Sequence, residues 1–518
     1  MSAKARSASV ESPPQVLPFT GAEYLESLKD DREVYIYGER VADLTKHPAF
    51  RNSARMLARM YDALHDPARR EVLTVPTDTG NGGFTHRFYR ADRSAEECVK
   101  TRDAIAAWQR LTWGWMGRSP DYKASFLGTL GANSQFYAPY HENAQAWYRR
   151  AQERCLYMNH ALINPPVDKS RPLTEASDVY VHAEKETDAG LIVSGAKVVA
   201  TNSALTHHNF IGCYQIGRPE QAILAMLPMN APGLKLICRT SYEMTAAVMG
   251  SPFDYPLSSR LDENDAILIL DQVLIPWENV FLYRDLERAN LFFAASGFLN
   301  RFSFHGCTRL AVKLDFLVGL TLLASEVAGV KDKAFGKMQL GEMLALRHLI
   351  WALSEAMARN PDSWVNGTVL PNMSYANAYR VLSPVVYARI REIIQQIISS
   401  GLIYLNSHVA DFRNPEIRAL LDKYLRGSYG QDAVERVKIM KLLWDSVGTE
   451  FGGRHELYER NYAGNYEHIR AEALLVASAD GCTETLKQFA RSCMDEYDLD
   501  GWRTPDLVDA ADVSFLKH

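Results

Sequence analysis

The hydrophobic period of this 518-residue chain changes twice, and this double change is the strongest constraint on its fold. Apolar side chains recur at helical spacing from residue 20 to about 153, and again from residue 286 to the end. Between residues 155 and about 281 they form alternating or short runs, such as GLIVSG, AILAML and AILILDQVLIP. The sequence therefore predicts an α+β protein in which a β domain of six or so strands separates two helical domains.

Domain boundaries are placed where the period changes. We predict an N-terminal helical domain over residues 20–154, a central β domain over 155–283, and a C-terminal helical bundle with its tail over 284–518. Residues 1–19 carry charges with no apolar run behind them, which predicts a disordered leader rather than a signal peptide. Residues 310–330 are apolar nearly all round, so they predict a helix buried in the bundle or between subunits.

Composition excludes several classes of function. A net charge of −5 and a pI near 6.3 give no electrostatic case for nucleic acid or an anionic membrane as partner. The longest charge-free apolar run with a helical pattern, residues 316–325, is too short to cross a bilayer. Seven cysteines without a CxxC pair or zinc-type spacing indicate reduced thiols and no metal site. We expect a soluble, cytoplasmic protein.

Residues 185–208, KETDAGLIVSGAKVVATNSALTHH, are the part of the β domain best suited to hold a ligand. They predict two short strands joined by a turn at Gly195, the second ending in Thr201, Asn202 and Ser203. Strand ends are places where a rigid scaffold presents polar groups to a ligand. Taken alone, these residues fit an ordinary surface hairpin better, and only the other motifs favour the ligand-binding interpretation.

Six stretches carry a more specific pattern. They are GWMGRSPDYK at 114–123, YMNHALINPPVDK at 157–169, EFGGRHELYERNYAGN at 450–465, IYGERVADLTKHPAFRN at 36–52, GSPFDYPLSSRLDENDAIL at 250–268 and VLIPWENV at 273–280. They resemble the oxygenase component of the 4-hydroxyphenylacetate 3-monooxygenase family, and the likeness runs in chain order and without large gaps from residue 20 to about 502. The resemblance implies an acyl-CoA dehydrogenase-like fold, with a β-barrel or sandwich between the helical domains and flavin bound beside it.

The resemblance also implies a reaction. In this family reduced FAD reacts with O2 to a C4a-hydroperoxyflavin, whose distal oxygen adds ortho to the hydroxyl of a 4-hydroxyphenyl substrate and yields a catechol. No GxGxxG fingerprint follows a strand in this chain, so we expect FADH2 to come from a separate NAD(P)H:flavin reductase. The family forms dimers and tetramers, which implies a homotetramer assembled as a dimer of dimers.

Three residues are predicted to be catalytic, since the family surrounds the phenolic hydroxyl with residues that match Arg118, Tyr122 and His160. Arg118 is a permanent cation, and Tyr122 would lie on the same side of a helical turn if that turn persists past Pro120. Arg118 would stabilise the phenolate charge, while Tyr122 and His160 would manage the phenol proton. Each residue alone has an ordinary interpretation as a capping, packing or core residue.

Cofactor-binding residues are implied by the same resemblance. Two prolines in the second stretch suit an extended loop along a flat ring, and Thr201 matches a residue that contacts the flavin near N5. Ala463 stands where acyl-CoA dehydrogenases carry a catalytic glutamate, which disfavours dehydrogenation of a thioester. The predicted cofactor-binding residues are His160, Ala161, Leu162, Pro166, Val167, Asp168, Lys169, Thr201, Gly452, Gly453, Arg454, His455, Asn461, Tyr462, Ala463 and Gly464.

Substrate identity is less constrained. The stretches SPDYKASFLGTLGAN and MDEYDLDGW look closer to actinomycete natural-product members of the family, including those of enediyne biosynthesis. That subgroup implies a tyrosine- or β-tyrosine-derived phenol, in some cases chlorinated and tethered to a peptidyl carrier protein. Residues 206–221 are expected to form part of a mobile substrate entrance. Three alternatives stay open: a catabolic hydroxylase of free 4-hydroxyphenylacetate, a flavin dehydrogenase or isomerase on a thioester, and a non-catalytic flavin-binding scaffold.

Overall fold

The structure is a computed structural model that describes residues 16–167, 170, 178–213 and 216–503. Its α-helices are, in chain order, α1 (Gly21–Ser27), α2 (Arg51–His65), α3 (Pro67–Leu73), α4 (Ala95–Gln109), α5 (Ala124–Leu127), α6 (His141–Arg154), α7 (Tyr242–Met249), α8 (Leu286–Ala295), α9 (Phe298–Val327), α10 (Ala334–Arg359), α11 (Met373–Ile398), α12 (Pro415–Tyr424), α13 (Ala433–Val447), α14 (Glu450–Asn461), α15 (Tyr466–Ala479) and α16 (Cys482–Met494).

The strands form two larger sheets and three short hairpins. They are β1 (Glu33–Ile36), β2 (Glu39–Arg40), β3 (Thr74–Pro76), β4 (Phe84–His86), β5 (Met158–Ala161), β6 (His182–Thr187), β7 (Gly190–Lys197), β8 (His208–Ile211), β9 (Ile223–Pro228), β10 (Leu234–Cys238), β11 (Ala266–Pro276), β12 (Val280–Tyr283), β13 (Asp362–Ser363), β14 (Val369–Leu370), β15 (Tyr497–Asp498) and β16 (Gly501–Trp502). The predicted α+β order of helices, sheets and helices is confirmed, with two open sheets in place of a closed barrel. The exact domain boundaries stay a prediction.

The N-terminal part begins with a capping box. The Thr20 hydroxyl accepts a hydrogen bond from the N–H of Glu23, and the Glu23 carboxylate accepts one from the N–H of Thr20 at 2.8 Å. Further along, the carboxylate of Glu243 accepts hydrogen bonds from the N–H groups of Asn52 and Ser53 at 2.7 and 3.0 Å. Because these N–H groups lie in the first turn of α2, where no intrahelical partner exists, the contact ties α2 to α7 of the β domain.

The larger sheet contains a strand pair that the hydrophobic pattern did not predict. Its strand order is β2-β1-β10-β11-β7-β6, so two N-terminal strands complete a sheet of the central domain. β1 pairs parallel with β10, placing Val34 opposite Leu236. The expectation of a purely helical pattern between residues 20 and 153 is therefore wrong for β1 and β2, and also for the β3–β4 hairpin. The short strand EVYI gains its partner from a distant segment of the chain.

The segment at 185–208 also folds differently from its prediction. β6 and β7 form the hairpin, and β7 continues through Gly195 without turning. Gly195 has a φ of +120°, and a Cβ added to it would lie 2.5 Å from the carbonyl oxygen of Tyr180. The glycine therefore permits a close backbone approach. Beyond Lys197 the chain forms a single bridge between Val198 and Ile163 in place of the second predicted strand.

The smaller sheet has the order β12-β9-β8-β5. β8 pairs with β5 on one side and with β9 on the other, and three of its four residues are buried. A strand that is hydrogen-bonded on both sides is unsuited to a mobile entrance, so that expectation is wrong for residues 208–211. Residues 214 and 215 lie outside the described residues, and a role in the entrance stays a prediction for residues 216–221.

The C-terminal bundle is organised around α9, which packs against α4, α10, α11 and α13. Most of its side chains are buried, as the apolar segment at 310–330 predicted. Isoleucines at helical spacing, Ile390, Ile393, Ile394, Ile397 and Ile398, form a buried face of α11, and the helix ends at Ile398. No helix within the part of the chain that the structure describes is long and apolar enough to cross a membrane.

Three buried charges join α9 to α14. Glu459 of α14 accepts hydrogen bonds from Arg309 and, at 2.9 Å, from Lys313, both on α9. The exposed fraction of each side chain is 1% or less. Burial raises the pKa of the Glu459 carboxyl, but Arg309 and Lys313 outweigh burial and hold this pKa below its usual range. The carboxylate therefore stays charged inside the bundle.

Replacing Glu459 by Gln is expected to destabilise the bundle. Removing one partner of a buried ion pair costs about 3–5 kcal/mol, because the other charges are left uncompensated. We expect the thermal unfolding midpoint at pH 7 to fall by about 3–5 °C, since the unfolding entropy of a chain of this length is about 1.1 kcal/mol/K. Since the pKa of Glu459 is depressed in the folded protein, its contribution to the free energy of unfolding is fully present above the unfolded pKa of about 4.3. This contribution is lost as the pH falls from there through the folded pKa. The difference between variant and wild type should therefore shrink in acid.

Glu467→Gln is the matched control, since Glu467 on α15 is 79% exposed in its side chain and pairs with Arg470 only at 3.5 Å. An exposed pair of this kind contributes little, so this midpoint should not move. Equal midpoints for Glu459→Gln and wild type at pH 7 would refute the role given to the buried charges.

Candidate active site

Arg118, Tyr122 and His160 lie together in the structure. The guanidinium carbon of Arg118 is 4.1 Å from the centroid of the Tyr122 ring, and the Tyr122 hydroxyl is 3.2 Å from Nδ1 of His160. Tyr122 is fully buried, whereas Arg118 and His160 are half-buried. A permanent cation, a phenol and an imidazole thus occupy one small volume at the junction of the N-terminal and β domains.

The local structure that brings Arg118 beside Tyr122 is not the predicted α-helical turn. Ser119 is extended, with φ −68° and ψ 169°, and Pro120–Lys123 form a 3₁₀ turn. Pro120 occupies the first position of this turn, where its missing N–H is not needed. His160 comes from β5, where it stands opposite Phe210 of β8. The contact between the three residues therefore depends on how the turn docks against the smaller sheet.

Tyr458 of α14 and Tyr462, the C-cap of this helix, complete the surroundings of Arg118. Nη1 of Arg118 donates a hydrogen bond to the Tyr458 hydroxyl at 3.0 Å, and its guanidinium carbon lies 4.7 Å from the centroid of the Tyr462 ring. Three aromatic rings therefore face one cation, an arrangement that stabilises the cation electrostatically. Tyr462 was predicted as a flavin contact, while Tyr458 was missed. The i, i+4 spacing of the two tyrosines in ELYERNY is the signal that could have found it.

Glu263 and Asp265 connect this cluster to the β domain. Glu263 accepts a hydrogen bond from the backbone N–H of Arg118 at 2.5 Å. Asp265 accepts two from Arg454, at 3.1 and 2.8 Å, and one from the Thr201 hydroxyl at 2.6 Å. Burial raises the pKa of Asp265, but Arg454 and Arg239 outweigh it and hold this pKa well below its usual range. Thr201 and Arg454, both predicted to bind the cofactor, thus share one carboxylate.

Lys123 is the site residue that the sequence patterns missed most clearly. Its side chain is fully buried, and Nζ lies 3.0 Å from Nδ1 of His160. Burial, reinforced by the positive charge of Arg118, lowers the pKa of the Lys123 amine well below its usual value. The pKa of His160 is also lowered, chiefly by burial and further by the neighbouring positive charge of Arg118. Burial therefore favours the neutral, basic form of both groups next to a fixed cation.

The remaining predicted cofactor residues separate into two groups. Ala161 and Leu162 are buried at the end of β5, and Pro166 and Val167 are exposed beyond it. Asp168 and Lys169 lie outside the described residues. In or next to α14, Asn461 and Gly464 are exposed, Gly453 and Ala463 are half-buried, and Gly452 and His455 are buried.

Gly452 and His455 face the interior of the bundle. A Cβ on Gly452 would lie 2.8 Å from the backbone of Ser446, and Nδ1 of His455 is 3.2 Å from Nζ of Lys313. These packing contacts account for both residue types without a ligand. The role of Gly452 and His455 in binding the FAD cofactor stays a prediction.

Exposed apolar side chains occur two residues before Thr201 and in the segment bridged to it through Val198. Ile163, Val167 and Val199 expose 45%, 37% and 58% of their surface, and Val198 next to Val199 is bridged to Ile163. Val199 has a φ of +58°, a conformation that is strained for a β-branched residue and is found mainly at functional sites. Buried Lys197 orders the adjacent loop by donating to the Leu162 carbonyl at 3.2 Å. These residues fit the flat ring system of FAD.

Comparison with known proteins agrees with this geometry. A family model described as 4-hydroxyphenylacetate 3-hydroxylase N terminal matches residues 20–282, and its C-terminal counterpart matches residues 289–491. The chain is 60% identical over 506 residues to the oxygenase component of 4-nitrophenol 2-monooxygenase from Rhodococcus sp, covering 98% of this chain and 97% of that protein. Both halves of the chain are thus matched.

Two further relatives concern the substrate and the cofactor. A monooxygenase from Streptomyces globisporus is 60% identical to this chain over 492 residues, which cover 95% of this chain and 93% of that protein. Its name specifies a (3S)-3-amino-3-(3-chloro-4-hydroxyphenyl)propanoyl group on a peptidyl carrier protein. This chain also superposes on a crystal structure with a TM-score of 0.85 at 32% identity, covering 92% of this chain and 99% of that chain. That structure is the oxygenase component of a 4-hydroxyphenylacetate 3-monooxygenase complexed with FAD and 4-hydroxyphenylacetate.

Fold, site and relatives together define a flavin-dependent aromatic monooxygenase of the two-component type, with FAD as cofactor and O2 as co-substrate. The chain belongs to the 4-hydroxyphenylacetate 3-hydroxylase family and is an oxygenase component, so it depends on a separate reductase for reduced flavin. The resemblance inferred from its motifs is confirmed.

The close approach of Gly117 to Tyr458 can be tested. A Cβ on Gly117 would lie 2.1 Å from the Tyr458 hydroxyl oxygen, so Gly117→Ala must push this ring away from Arg118. Overpacking of this kind costs about 1–3 kcal/mol. If part of that cost falls on phenol binding, the dissociation constant of 4-nitrophenol should rise about tenfold, which corresponds to about 1.4 kcal/mol.

Gly341→Ala on α10 is the control, because a Cβ there meets no atom within 4 Å. This variant should bind 4-nitrophenol as wild type does. Unchanged phenol affinity in Gly117→Ala would show that Tyr458 does not set the position of Arg118.

Proposed function

We propose that this chain hydroxylates a 4-hydroxyphenyl substrate at the carbon next to its hydroxyl group, giving a catechol. The observation that carries the proposal is the meeting of Arg118, Tyr122 and His160 within hydrogen-bonding and cation–π distance. A phenol becomes more reactive at its ortho carbon when it loses its proton, and a fixed cation beside the oxygen favours that loss. The cluster offers both the cation and a neutral base.

Each residue has a separate role in this proposal. Arg118 stabilises the negative charge on the phenol oxygen, because its guanidinium is always protonated and has no carboxylate in contact with it among the described residues. Tyr122 orients that oxygen by hydrogen bonding. His160 accepts the phenol proton, since its lowered pKa keeps the imidazole neutral. Ile163, Val167 and the Thr201 region would hold FAD, which supplies oxygen transfer from O2 when it is bound.

The proposed substrate is a tyrosine- or β-tyrosine-derived phenol of natural-product biosynthesis, chlorinated or not and tethered to a peptidyl carrier protein. The Streptomyces relative supports it. A second candidate is a small free phenol, supported by the equally similar 4-nitrophenol enzyme. Free 4-hydroxyphenylacetate is the third, supported by the substrate complex of the 32% identical structure. Ala463 stands against the thioester dehydrogenase, because it offers no base for α-proton abstraction.

We also propose that the chain forms a homotetramer. Helices α15 and α16 present large apolar side chains to solvent in the isolated chain: Leu474, Leu475, Leu486, Phe489 and Met494. A contiguous apolar surface of this kind is typical of subunit interfaces.

Hydroxylation can be tested directly with the full chain, a flavin reductase, FAD and NADH under ¹⁸O2. We expect one ¹⁸O atom in a catechol product, measured by mass spectrometry. The panel contains 4-nitrophenol, 4-hydroxyphenylacetate, β-tyrosine and 3-chloro-β-tyrosine. Both β-tyrosines are tested as free acids and also loaded on a peptidyl carrier protein. The preferred substrate is the one with the highest product yield per FADH2 consumed. FADH2 oxidation without ¹⁸O incorporation into any phenol would refute the monooxygenase function.

Replacing His160 by Asn should slow hydroxylation while leaving FAD binding intact. General bases contribute about 10²–10⁴-fold to a rate, and we expect a loss within this range. Because burial and the positive charge of Arg118 hold the pKa of His160 well below its usual value, the imidazole is in its neutral form at neutral pH. The wild-type rate should therefore not fall between pH 8 and pH 6 on account of this residue. His348→Asn on the exposed surface of α10 is the control, and an unchanged rate in His160→Asn would remove His160 from the mechanism.

A further inference from the structure

Lys123 is a buried amine without an acidic partner among the described residues. Its side chain is fully buried, and its one hydrogen-bond partner there is Nδ1 of His160. Aromatic rings enclose it, with the centroids of Phe298 and Phe210 at 4.3 and 5.0 Å from Nζ. A charged ammonium in such surroundings normally requires a carboxylate, because loss of hydration is costly. Lys313 and Lys441, two other buried lysines, contact Glu459 and Asp254.

The charged and titratable groups around Lys123 all oppose its protonation or are neutral. Arg118 contributes a positive charge, and Tyr122 and His160 are neutral neighbours. Phe126 of α5, Phe210 of β8 and Phe298 of α9 cover the remaining sides. Nε2 of His160, on the opposite edge of the imidazole, makes no hydrogen bond to any described residue. The ring therefore has Lys123 at one nitrogen and an available position at the other.

We propose that Lys123 is the terminal proton acceptor of a relay that starts at the phenol hydroxyl and passes through His160. This inference rests on the proposed function. The phenol O–H bond breaks and its proton binds Nε2 of His160, while the proton on Nδ1 moves to the lone pair of Lys123 Nζ. Phenol and amine become phenolate and ammonium, and the imidazole changes only its tautomer. Once oxygen has been inserted, the ammonium returns its proton by the same path to the same oxygen, and the ring carbon loses its hydrogen as a proton to solvent.

The relay gives a chemical reason for a lysine at this position. Arg118 cannot accept a proton, and burial raises the pKa of Tyr122, so this phenol remains a donor. Only the Lys123 amine combines a free lone pair with direct contact to His160. Because the proton stays inside the protein, phenolate forms without a change in the net charge of the site.

The ionisation of bound 4-nitrophenol tests the relay without any flavin chemistry, because phenol and phenolate absorb at different wavelengths. In wild type the bound ligand should be phenolate at every pH from about 6 to about 8, since Lys123 holds the proton. In Lys123→Met the bound ligand has to release its proton to solvent. Its ionisation should therefore become pH-dependent, with a midpoint at least about 1 pH unit higher than in wild type. Hydroxylation should slow about 10²-fold, as expected for loss of a proton acceptor.

Two further variants distinguish proton transfer from a purely electrostatic or packing role of Lys123. Ser125→Ala changes another buried residue two positions away, whose hydroxyl donates to the Tyr122 carbonyl at 2.6 Å, and should behave as wild type. Lys123→Arg introduces a permanent positive charge without a proton acceptor, so it should keep the bound ligand ionised yet hydroxylate as slowly as Lys123→Met. A wild-type rate in Lys123→Arg would overturn the relay and leave Lys123 as a simple charge.

Circular dichroism shows whether Lys123→Met folds. If it does not, the hydroxylation rate of Lys123→Arg is compared with that of wild type, and a wild-type rate again overturns the relay. The ¹⁸O2 experiment on wild type keeps the two proposals distinct. Absence of catechol from every phenol refutes the proposed function. Catechol formation at wild-type rate in the folded Lys123 variants refutes the relay alone.

Discussion

The structure depends on two carboxylates of one β-domain loop, the buried Glu263 and the partly buried Asp265. Glu263 holds the backbone of Arg118, and Asp265 holds Arg454 and Thr201. Three segments that are far apart in the chain therefore meet at two acidic side chains. Because Arg454 is itself 10% exposed in its side chain, loss of its carboxylate partner would leave a largely desolvated charge uncompensated, which is more costly than loss of a surface pair. The two carboxylates therefore fix three segments relative to one another: the segment at Arg118, the segment at Thr201 that follows β7, and α14.

The same electrostatic logic separates structural cations from those of the site. Arg454 and Arg309 are both paired with carboxylates, and their positive charges are used to hold the domains and the bundle together. The side chain of Arg118 faces tyrosine rings, and Lys123 faces phenylalanines and His160. Within the described residues neither has a carboxylate in ion-pair contact. Arg118 therefore offers a positive potential that an anionic substrate oxygen can neutralise, the Lys123 amine can take up a proton, and the aromatic walls suit the ring of the substrate.

Elements with a strong local pattern were predictable. The amphipathic α2, the buried isoleucine face of α11 and the long apolar α9 follow from hydrophobic period alone, since each buries the face that its sequence presents. Elements that depend on distant partners were not. β1 is a strand because β10 lies beside it, and Gly195 serves a close approach to Tyr180 where local rules suggested a turn. The 3₁₀ turn after Ser119 likewise replaces the helix expected from spacing.

The sequence by itself determined the α+β order, the family and, through motifs quoted in context, the candidate residues Arg118, Tyr122 and His160. Only the tertiary structure decided which groups surround them: Tyr458 from α14, Glu263 from the β domain, and above all Lys123. The reason is physical. Hydrophobic period and motif spacing are local properties of the chain, whereas the charge state of a lysine depends on burial and on which charges are folded against it.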